Sequence, residues 1–297
     1  MQKIMAIFAH PDDEGAIGGT LAKYARNGAE VTLVCATRGE AGEISDPVLA
    51  TLDTLGEVRQ RELEAACQIL DIQRPHFLDY CDSGMEGTAE NVRPTSFMHA
   101  DPVEVVGKLV SLIRQVKPDI VITFEPFGWY GHPDHKAASR WATEAYTAAG
   151  DAAAYPDKGA AWQPQRLFYA VIPISKFRAM IEEAAASGDF ESDDIVESIP
   201  VEQQLQTEAA VTHIVDVTAL FDVKQSAMRA HQTQFSEEHM FRKIPRETML
   251  KASGNEYFIQ AHPQPPASLA EDPLSDLFAG HEHSFNKSAI QNHERAI

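Results

Sequence analysis

Histidine and aspartate occur together in two short motifs that lie about 120 residues apart in the chain. The first is Ala-His-Pro-Asp-Asp-Glu at residues 9–14, and the second is His-Pro-Asp-His at residues 132–135. Together they supply two imidazoles and one carboxylate for a metal ion, and they leave further carboxylates and one further imidazole. Three protein ligands, an open position for water, a base and an acid are the components of a hydrolytic zinc site.

The spacing within the first motif agrees with this interpretation. His10 and Asp13 are three residues apart, so a turn that leads into a helix directs both side chains the same way. Asp12 and Asp13 are adjacent and must diverge. One of them can therefore hold a metal ion while the other accepts a proton from water.

The second motif offers the complementary groups. His132 and His135 are also three residues apart at a predicted helix start, so one imidazole can complete the metal site. The other can donate a proton to a leaving amine or stabilise a tetrahedral oxyanion. Asp134 can orient a neighbouring imidazole.

Both motifs follow apolar runs that predict strands. The run at 4–8 precedes the first motif and the run at 119–124 precedes the second, while Pro133 suits the first position of a helix that extends to about residue 149. Parallel sheets bind ligands at the carboxyl ends of their strands. If the two strands are neighbours, the two motifs meet in space.

Strand-like and helix-like runs alternate along the first 175 residues, which predicts an α/β, Rossmann-like domain with a mainly parallel sheet and helices on both faces. Residues 1–175 are expected to form the catalytic core. Residues 176–262, which are less regular, complete the substrate pocket within the same domain, and residues 263–297 form a proline-rich extended tail. Further predicted helices cover 16–27, 57–70, 103–116 and 219–231, and further predicted strands cover 31–35, 75–79, 167–172 and 212–217.

Composition restricts the partners and the compartment. The net charge of −19 argues against binding to a nucleic-acid backbone. No apolar run is long enough to span a bilayer, and the short N-terminal run is interpreted as a strand rather than an export signal. The three cysteines are odd in number and widely spaced, which favours reduced thiols in a cytoplasmic protein.

Two other classes of protein remain as alternatives. A nucleotide-binding regulator is disfavoured, because the loop after the first strand lacks G-x-G-x-x-G and its acidic residues would repel a pyrophosphate. A non-catalytic metal- or sugar-binding protein of the same fold is the second alternative, and substrate turnover in the presence of added zinc distinguishes it from an enzyme.

The motifs resemble those of the LmbE-like, or PIG-L, family of zinc-dependent N-deacetylases. The resemblance covers the first 175 residues well and is weaker in later segments, and it is closest to the branch that contains the deacetylases and amidases of mycothiol and bacillithiol metabolism. Besides the two histidine–aspartate motifs it includes Thr-Arg-Gly-Glu-Ala-Gly-Glu at 37–43, Arg59-x-x-Glu62-Leu63, Asp82-Ser-Gly-Met85, residues 163–169, and Ala-His-Gln-Thr-Gln at 230–234.

The resemblance implies a role for individual residues. Zinc is held by His10, Asp13 and His135, and Asp12 is the general base. The resemblance also implies a charged His132 that acts on the oxyanion or the leaving group, with Asp134 behind it. Tyr130 would polarise the substrate carbonyl, and it follows Gly128-Trp129 where the family often has two glycines. Substrate binding is implied for Arg59, Asp82 and Glu43.

The expected activity is therefore metal-dependent hydrolysis of a linear amide. The substrate class is a small amino sugar of the N-acetylglucosaminyl-inositol or N-acetylglucosaminyl-malate type, and the product is the free amine with acetate. An amidase that cleaves thiol conjugates of mycothiol or bacillithiol is the close alternative. Ferrous iron in place of zinc stays open, because two histidines and one carboxylate suit both ions. A homo-oligomer also stays open.

Overall fold

The computed structural model describes residues 1–185 and 201–279, and this part of the chain builds a seven-stranded sheet. The strand order is β3-β2-β1-β4-β5-β7-β6. The strands are β1 (Lys3–Phe8), β2 (Glu30–Thr37), β3 (His76–Tyr80), β4 (Ile120–Phe124), β5 (Arg166–Val171), β6 (His213–Asp216) and β7 (Asn255–His262).

Helices connect the strands and cover the sheet. A short 3₁₀ turn at Asp13–Ile17 leads directly into the first of them. The helices are α1 (Gly18–Arg26), α2 (Leu55–Ile69), α3 (Pro102–Val116), α4 (Pro133–Gly150), α5 (Ile174–Ala185), α6 (Val201–Ala209), α7 (Phe221–Ala230), α8 (Met240–Lys243) and α9 (Arg246–Ser253).

The predicted α/β architecture is confirmed. Strands β1 to β5 are parallel, and β1 lies between β2 and β4. The chain order reverses at β1, because successive crossovers lead to β3 on one side and to β5 on the other. Right-handed crossovers in opposite directions place helices on opposite faces; accordingly α1 and α2 pack with α7, while α3 packs with α4.

The neighbouring positions of β1 and β4 bring the two motifs together. Residues 4–8 and 120–124 are almost completely excluded from solvent, because both strands are covered on two faces. Their carboxyl ends carry the loops with the two histidine–aspartate motifs. This is the position at which the strand order reverses, where open α/β sheets bind their ligands.

Strand β7 was not predicted from the sequence. It runs antiparallel between β5 and β6, so it does not belong to the regular strand–helix alternation. Its Glu256 is buried and accepts hydrogen bonds from the backbone N–H groups of Gly19 and Thr20 at the start of α1, and it forms an ion pair with Lys224 of α7 at 2.7 Å. Through Glu256, β7 therefore connects α1 to the C-terminal part of the chain.

Part of the segment expected to be an extended tail is docked on the core. Arg166 donates hydrogen bonds to the carbonyls of Leu277 and Ala279, and Leu277 is fully buried. The Tyr24 hydroxyl donates a hydrogen bond to the Asp276 carboxylate at 2.7 Å. Residues 280–297 lie outside the described part of the chain.

Arg114 on α3 carries the most extensive set of contacts made by a buried side chain in the described fold. Its guanidinium donates to six backbone carbonyls between residues 148 and 159, in the last turn of α4 and the loop that follows. It thus satisfies helix-terminal carbonyls that have no partner within the helix.

We expect Arg114→Met to lower the free energy of unfolding by about 3 kcal/mol, because several buried carbonyls lose their donor at once. Urea denaturation measures the change. Arg140→Met is the matched control, because Arg140 is exposed and pairs with Glu144 on the same helix; its effect is expected to stay within about 0.5 kcal/mol. Equal effects of the two replacements would contradict the interpretation.

Candidate metal centre and active site

The turn after β1 positions the first pair of predicted ligands. The Asp13 carboxylate accepts the backbone N–H groups of His10 at 2.7 Å and Ala9 at 3.2 Å. These bonds direct Asp13 back toward the strand end, beside the His10 ring. The side chains of His10 and Asp13 are both less than 10% exposed.

The start of α4 positions the third predicted ligand. The His135 ring stacks on Phe124 with the ring centres 4.1 Å apart and the planes inclined by 14°. Its Nδ1 lies 3.3 Å from the carbonyl oxygen of Gly128. A carbonyl can only accept, so Nδ1 carries the proton and Nε2 presents a lone pair.

His10 is held in a similar way by carboxylates. Its Nε2 lies 3.2 Å from the Asp134 carboxylate and 3.5 Å from the Asp82 carboxylate. These acceptors place the proton on Nε2 and leave a lone pair on Nδ1. Such outer carboxylate–histidine contacts are typical of metal-binding imidazoles.

Three electron-pair donors therefore converge. His10 Nδ1 and His135 Nε2 are 3.3 Å apart, His135 Nε2 and Asp13 Oδ1 are 3.1 Å apart, and His10 Nδ1 and Asp13 Oδ2 are 3.6 Å apart. In a tetrahedral zinc site with bonds of 2.0–2.1 Å the ligand atoms lie about 3.3 Å from one another. The two imidazole nitrogens match this separation, and the Asp13 carboxylate approaches each of them with a different oxygen. Without a cation the three donors repel each other, so the donor set fits a divalent metal ion.

Electrostatics in this pocket favour positive charge. Burial alone would lower the pKa of His10, but the charge of Asp82 and the hydrogen bond to Asp134 raise it well above the ordinary value. Burial would raise the pKa of Asp13, yet His135 lowers it to about 2. The surroundings of both side chains thus stabilise a cation between them.

A second grouping of ligand atoms is also present. Within the described residues, one nitrogen each of His10, His132 and His135 lie within 4.8 Å of one another. His132 is consequently the alternative third ligand. A third grouping joins His10 with Asp82 and Asp134, the carboxylates that contact its Nε2.

The structure places Asp134 differently from the expectation that it stands behind His132. Its carboxylate contacts His10 and accepts the backbone N–H and the hydroxyl of Ser83. Only the backbone N–H of Asp134 reaches His132, whose Nδ1 accepts it at 3.1 Å as the N-cap of α4. Residues two apart at a helix start do not face each other, which is why the carboxylate turns to the imidazole of the other motif.

His132 differs in charge from what the resemblance implies. Burial, together with the neighbouring His10 and His135, lowers the pKa of His132 to about 2. The resting imidazole is therefore neutral. Since its Nδ1 accepts a hydrogen bond, its Nε2 carries the proton and can act as a donor.

Asp12 is the carboxylate that diverges from Asp13. Its backbone has φ 112° and ψ −22°, in the left-handed region, and its side chain is 20% exposed. Burial raises the pKa of Asp12 to about 6 against the opposing charge of Arg59, whose Nη2 lies 2.9 Å from Oδ2. A carboxylate with a pKa in this range can accept a proton near neutral pH.

Tyr130 lies beside the histidines, with its ring centre 5.1 Å from that of His135. The preceding Trp129 adopts φ 61° in place of glycine. Its backbone N–H donates to the Glu125 carboxylate at 2.6 Å and its indole N–H to the carbonyl of Ala170 at 2.9 Å. These two bonds hold the uncommon backbone conformation.

The residues predicted to bind substrate have other partners. Arg59 is buried and donates to Asp12 and to the carbonyls of Pro11 and Gly39. Asp82 is buried next to His10, and Glu43 is exposed. Substrate contacts of these three residues stay predictions, and Arg59 and Asp82 already support the predicted base and a predicted ligand.

Sequence reasoning did not assign roles to several residues that support the site. Phe124 and Gly128 orient His135, and Ser83 fixes Asp134. Glu14 and His231 form a buried pair next to Asp12. Both residues lie in segments that carry the family resemblance, which was the available signal, but the pattern does not show their contact across 217 residues.

No helix in the described ranges 1–185 and 201–279 has the length and apolar character to cross a membrane.

Known proteins resemble this chain over most of its length. A family model described as PIG-L, GlcNAc-PI de-N-acetylase, matches residues 5–146. A 1D-myo-inositol 2-acetamido-2-deoxy-α-D-glucopyranoside deacetylase of Geodermatophilus obscurus is 38% identical over 292 residues, which cover 94% of this chain and 98% of that protein.

Two solved structures share the fold at low sequence identity. An N,N'-diacetylchitobiose deacetylase from Pyrococcus horikoshii is 21% identical with a TM-score of 0.62, covering 89% of this chain and 87% of that one. The 4-carboxy-2-hydroxymuconate hydratase GalB from Pseudomonas putida is 19% identical with a TM-score of 0.60, covering 90% and 98%. Since a hydratase and a deacetylase share this fold, the architecture alone does not determine the reaction.

Proposed function

This chain belongs to the PIG-L family of GlcNAc-PI de-N-acetylases, and on that premise we propose that it removes the N-acetyl group from an N-acetylglucosaminyl inositol with the help of zinc. The chain is an amidohydrolase, because its relatives are deacetylases that act on N-acetyl groups. The substrate is inferred from the name of the Geodermatophilus relative, which matches along nearly the whole chain. The observation that carries the chemistry is the convergence of the His10, Asp13 and His135 lone pairs beside a free carboxylate.

The proposed ligands are His10, Asp13 and His135. A divalent cation held by them would polarise the acetyl carbonyl and lower the pKa of a nearby water molecule. Zinc suits this donor set and its separations, and ferrous iron shares the same preference for two imidazoles and a carboxylate.

Residues of the chain itself accept the proton of the attacking water and stabilise the negative charge that develops on the acetyl oxygen. Asp12 accepts a proton from the water that attacks the acetyl carbon. His132 donates its Nε2–H to the oxygen that becomes negative, and the Tyr130 ring lies next to the rings of His132 and His135. The C–N bond breaks as Asp12 passes the proton that it took from water to the amine nitrogen, and acetate and the free amino sugar are the products.

A neutral His132 suits the oxyanion role better than the acid role. With a pKa of about 2, the imidazole of His132 is neutral at neutral pH and carries no second proton that it could transfer to the amine. Its single N–H can still donate a hydrogen bond. Fixed donors directed at developing negative charge contribute strongly in a site shielded from water. We therefore assign His132 to oxyanion stabilisation.

We expect His132→Ala to lower kcat by about 10²–10³-fold, because one oxyanion donor is lost. Steady-state acetate release measures the effect, and elemental analysis must show unchanged zinc content. The exposed His99, whose ring contacts the carbonyl of Asn91, provides the control variant His99→Ala. Loss of zinc from His132→Ala would instead identify His132 as a ligand.

The substrate is tested by acetate release from N-acetylglucosaminides that bear inositol, malate or lipid groups, with purified zinc-loaded protein. Thiol conjugates of mycothiol and bacillithiol are assayed in parallel by amine release. We expect the inositol compound to give the highest kcat/KM. Preference for the thiol conjugates would replace deacetylation with the amidase alternative, and absence of turnover on every compound would leave a non-catalytic binding protein.

The three cysteines are unpaired in the structure, which supports the inference of a reducing, cytoplasmic location.

A further inference from the structure

The segment His231–Gln234, which follows α7, carries part of the family resemblance but has no role in the proposed reaction. It lies against the turn that bears the predicted base. The backbone N–H of Ser45 donates to the carbonyl of Thr233 at 2.9 Å, which joins the segment to the loop after β2. The segment thus connects the C-terminal part of the chain with the catalytic face of the sheet.

His231 makes a buried contact with the first motif. Its Nε2 lies 2.6 Å from Glu14 Oε1, and the two side chains are at most 1% exposed. The other carboxylate oxygen of Glu14 accepts the backbone N–H of Asp12 at 3.0 Å. One carboxylate therefore links the imidazole directly to the backbone of Asp12.

The backbone of Asp12 needs such a restraint. Its φ of 112° lies in the left-handed region, which is costly for residues other than glycine and persists only where surrounding contacts hold it. Asp12 also receives a side-chain hydrogen bond from Arg59. The orientation of the carboxylate is thus fixed from two sides, through its main chain and through its Oδ2.

The same segment also binds the helix that bears Arg59. Thr233 donates its backbone N–H at 2.8 Å and its hydroxyl at 2.6 Å to the two oxygens of Glu62. Glu62 lies on α2, three residues after Arg59, and both side chains are buried. Residues 231–234 therefore contact Glu14 directly, and they contact α2, the helix from which Arg59 reaches Asp12.

We propose that His231 is a positioning residue for the hydrolytic reaction, which through Glu14 holds the Asp12 backbone in the conformation that directs its carboxylate at the substrate site. The inference rests on the proposed function, because it takes Asp12 to be the base. His231 is fully buried, so it does not touch substrate. Within the described part of the chain its Nδ1 has no hydrogen-bond partner, and its polar contact is with Glu14.

Charge within the pair agrees with this role. Burial alone would lower the pKa of His231, but the charge and hydrogen bond of Glu14 raise it above the ordinary value. A charge-assisted hydrogen bond is stronger than a neutral one and fixes geometry better.

Two replacements of His231 test the proposal. His231→Leu removes the donor to Glu14, and we expect kcat to fall by about 10–100-fold with KM and zinc content unchanged, since small misplacements of a reacting group have effects of this size. His231→Gln keeps a nitrogen donor near the position of Nε2 and is expected to recover most of kcat. A rise in KM with unchanged kcat would overturn the proposal, because it would indicate a substrate-binding role.

His213 provides a matched control. It is also a fully buried histidine, but it lies near Arg166 and belongs to β6, which is an edge strand of the sheet. His213→Leu is expected to lower the melting temperature while kcat stays unchanged. If His231→Leu behaves in the same way as His213→Leu, the role of His231 is only structural and the proposal is wrong.

A double-mutant cycle with Asp12→Asn separates this inference from the proposed function. If His231 acts through Asp12, His231→Leu changes kcat by less than about twofold once Asp12 is already asparagine. Equal effects in both backgrounds would overturn the positioning role. A fully active Asp12→Asn single variant would instead refute the assignment of the base. If His231→Leu does not fold, the cycle is run with His231→Asn, whose shorter side chain does not reach Glu14.

Discussion

Replacement of Asp12 is expected to lower kcat by about 10²–10⁴-fold while the metal content stays unchanged, because a positioned general base contributes a factor of this size. The structure separates the two adjacent aspartates in the way that this prediction requires. Asp13 is tied to the backbone of its own turn and faces two imidazoles, while Asp12 is partly exposed and contacts Arg59. Acetate release and elemental analysis on the same preparations measure the two quantities.

Asparagine is the more informative replacement. Asp12 adopts a left-handed backbone conformation, which asparagine tolerates better than alanine does. Asp12→Asn also keeps an oxygen for the hydrogen bond from Arg59, but it does not accept a proton from water. Asp12→Ala adds backbone strain and leaves Arg59 without its carboxylate partner, so its unfolding free energy is expected to be the lower of the two.

Two results would contradict the assignment of Asp12 as the base. If Asp12→Asn retains parental turnover, the base is another group. If the Asn variant loses its metal together with its activity, Asp12 is a ligand and the roles of the two aspartates are exchanged. Asp119→Asn serves as a control, because Asp119 lies at the other end of β4 and accepts the backbone N–H of Lys3.

The sequence predicted that the two motifs would meet if the strands that precede them were neighbours. Residues 4–8 and 119–124 are apolar runs of strand length, and both end in polar loops. These runs do not determine the order of the strands in the sheet. The structure shows that β1 and β4 are neighbours, which fulfils the condition under which the motifs meet.

Other features of the structure could not be predicted because they depend on contacts that no local pattern encodes. Asp134 stands between two histidines in sequence, yet its carboxylate reaches His10 across 124 residues. Strand β7 inserts antiparallel between β5 and β6, and it was missed because the alternation of strands and helices contains no place for it. The pKa of His132 depends on how deeply the ring is buried among other imidazoles, and spacing does not report that.

Replacement of Asp13 by alanine is expected to abolish metal binding. The variant removes one of the three converging donors and the only carboxylate among them, so the two imidazoles are left with no negative charge to balance the cation. Loss of an outer contact to a ligand usually weakens metal affinity by about 10–100-fold, and loss of a ligand must cost more. Catalysis falls by at least about 10³-fold, since the ion supplies several kcal/mol of transition-state stabilisation.

Thermal unfolding gives a readout of this prediction that is independent of activity. A ligand that binds only the native state raises the melting temperature in proportion to the logarithm of its concentration above Kd. Zinc should therefore stabilise the metal-free parent protein and should leave Asp13→Ala unaffected. Asp134→Asn is the graded control, because Asp134 contacts His10 without joining the three donors, and its zinc titration should shift to higher concentration while the full stabilisation is retained.

The competing ligand set makes the opposite prediction. If His10, His132 and His135 hold the metal, His132→Ala loses the zinc-dependent stabilisation and Asp13→Ala keeps it. The structure favours Asp13 for a physical reason: its carboxylate lies 3.1 Å from His135 Nε2 and 3.6 Å from His10 Nδ1, and His135 lowers its pKa, so it stays ionised. His132 contributes a neutral imidazole whose Nε2 carries a proton, and that proton would have to be removed before this nitrogen could bind an ion.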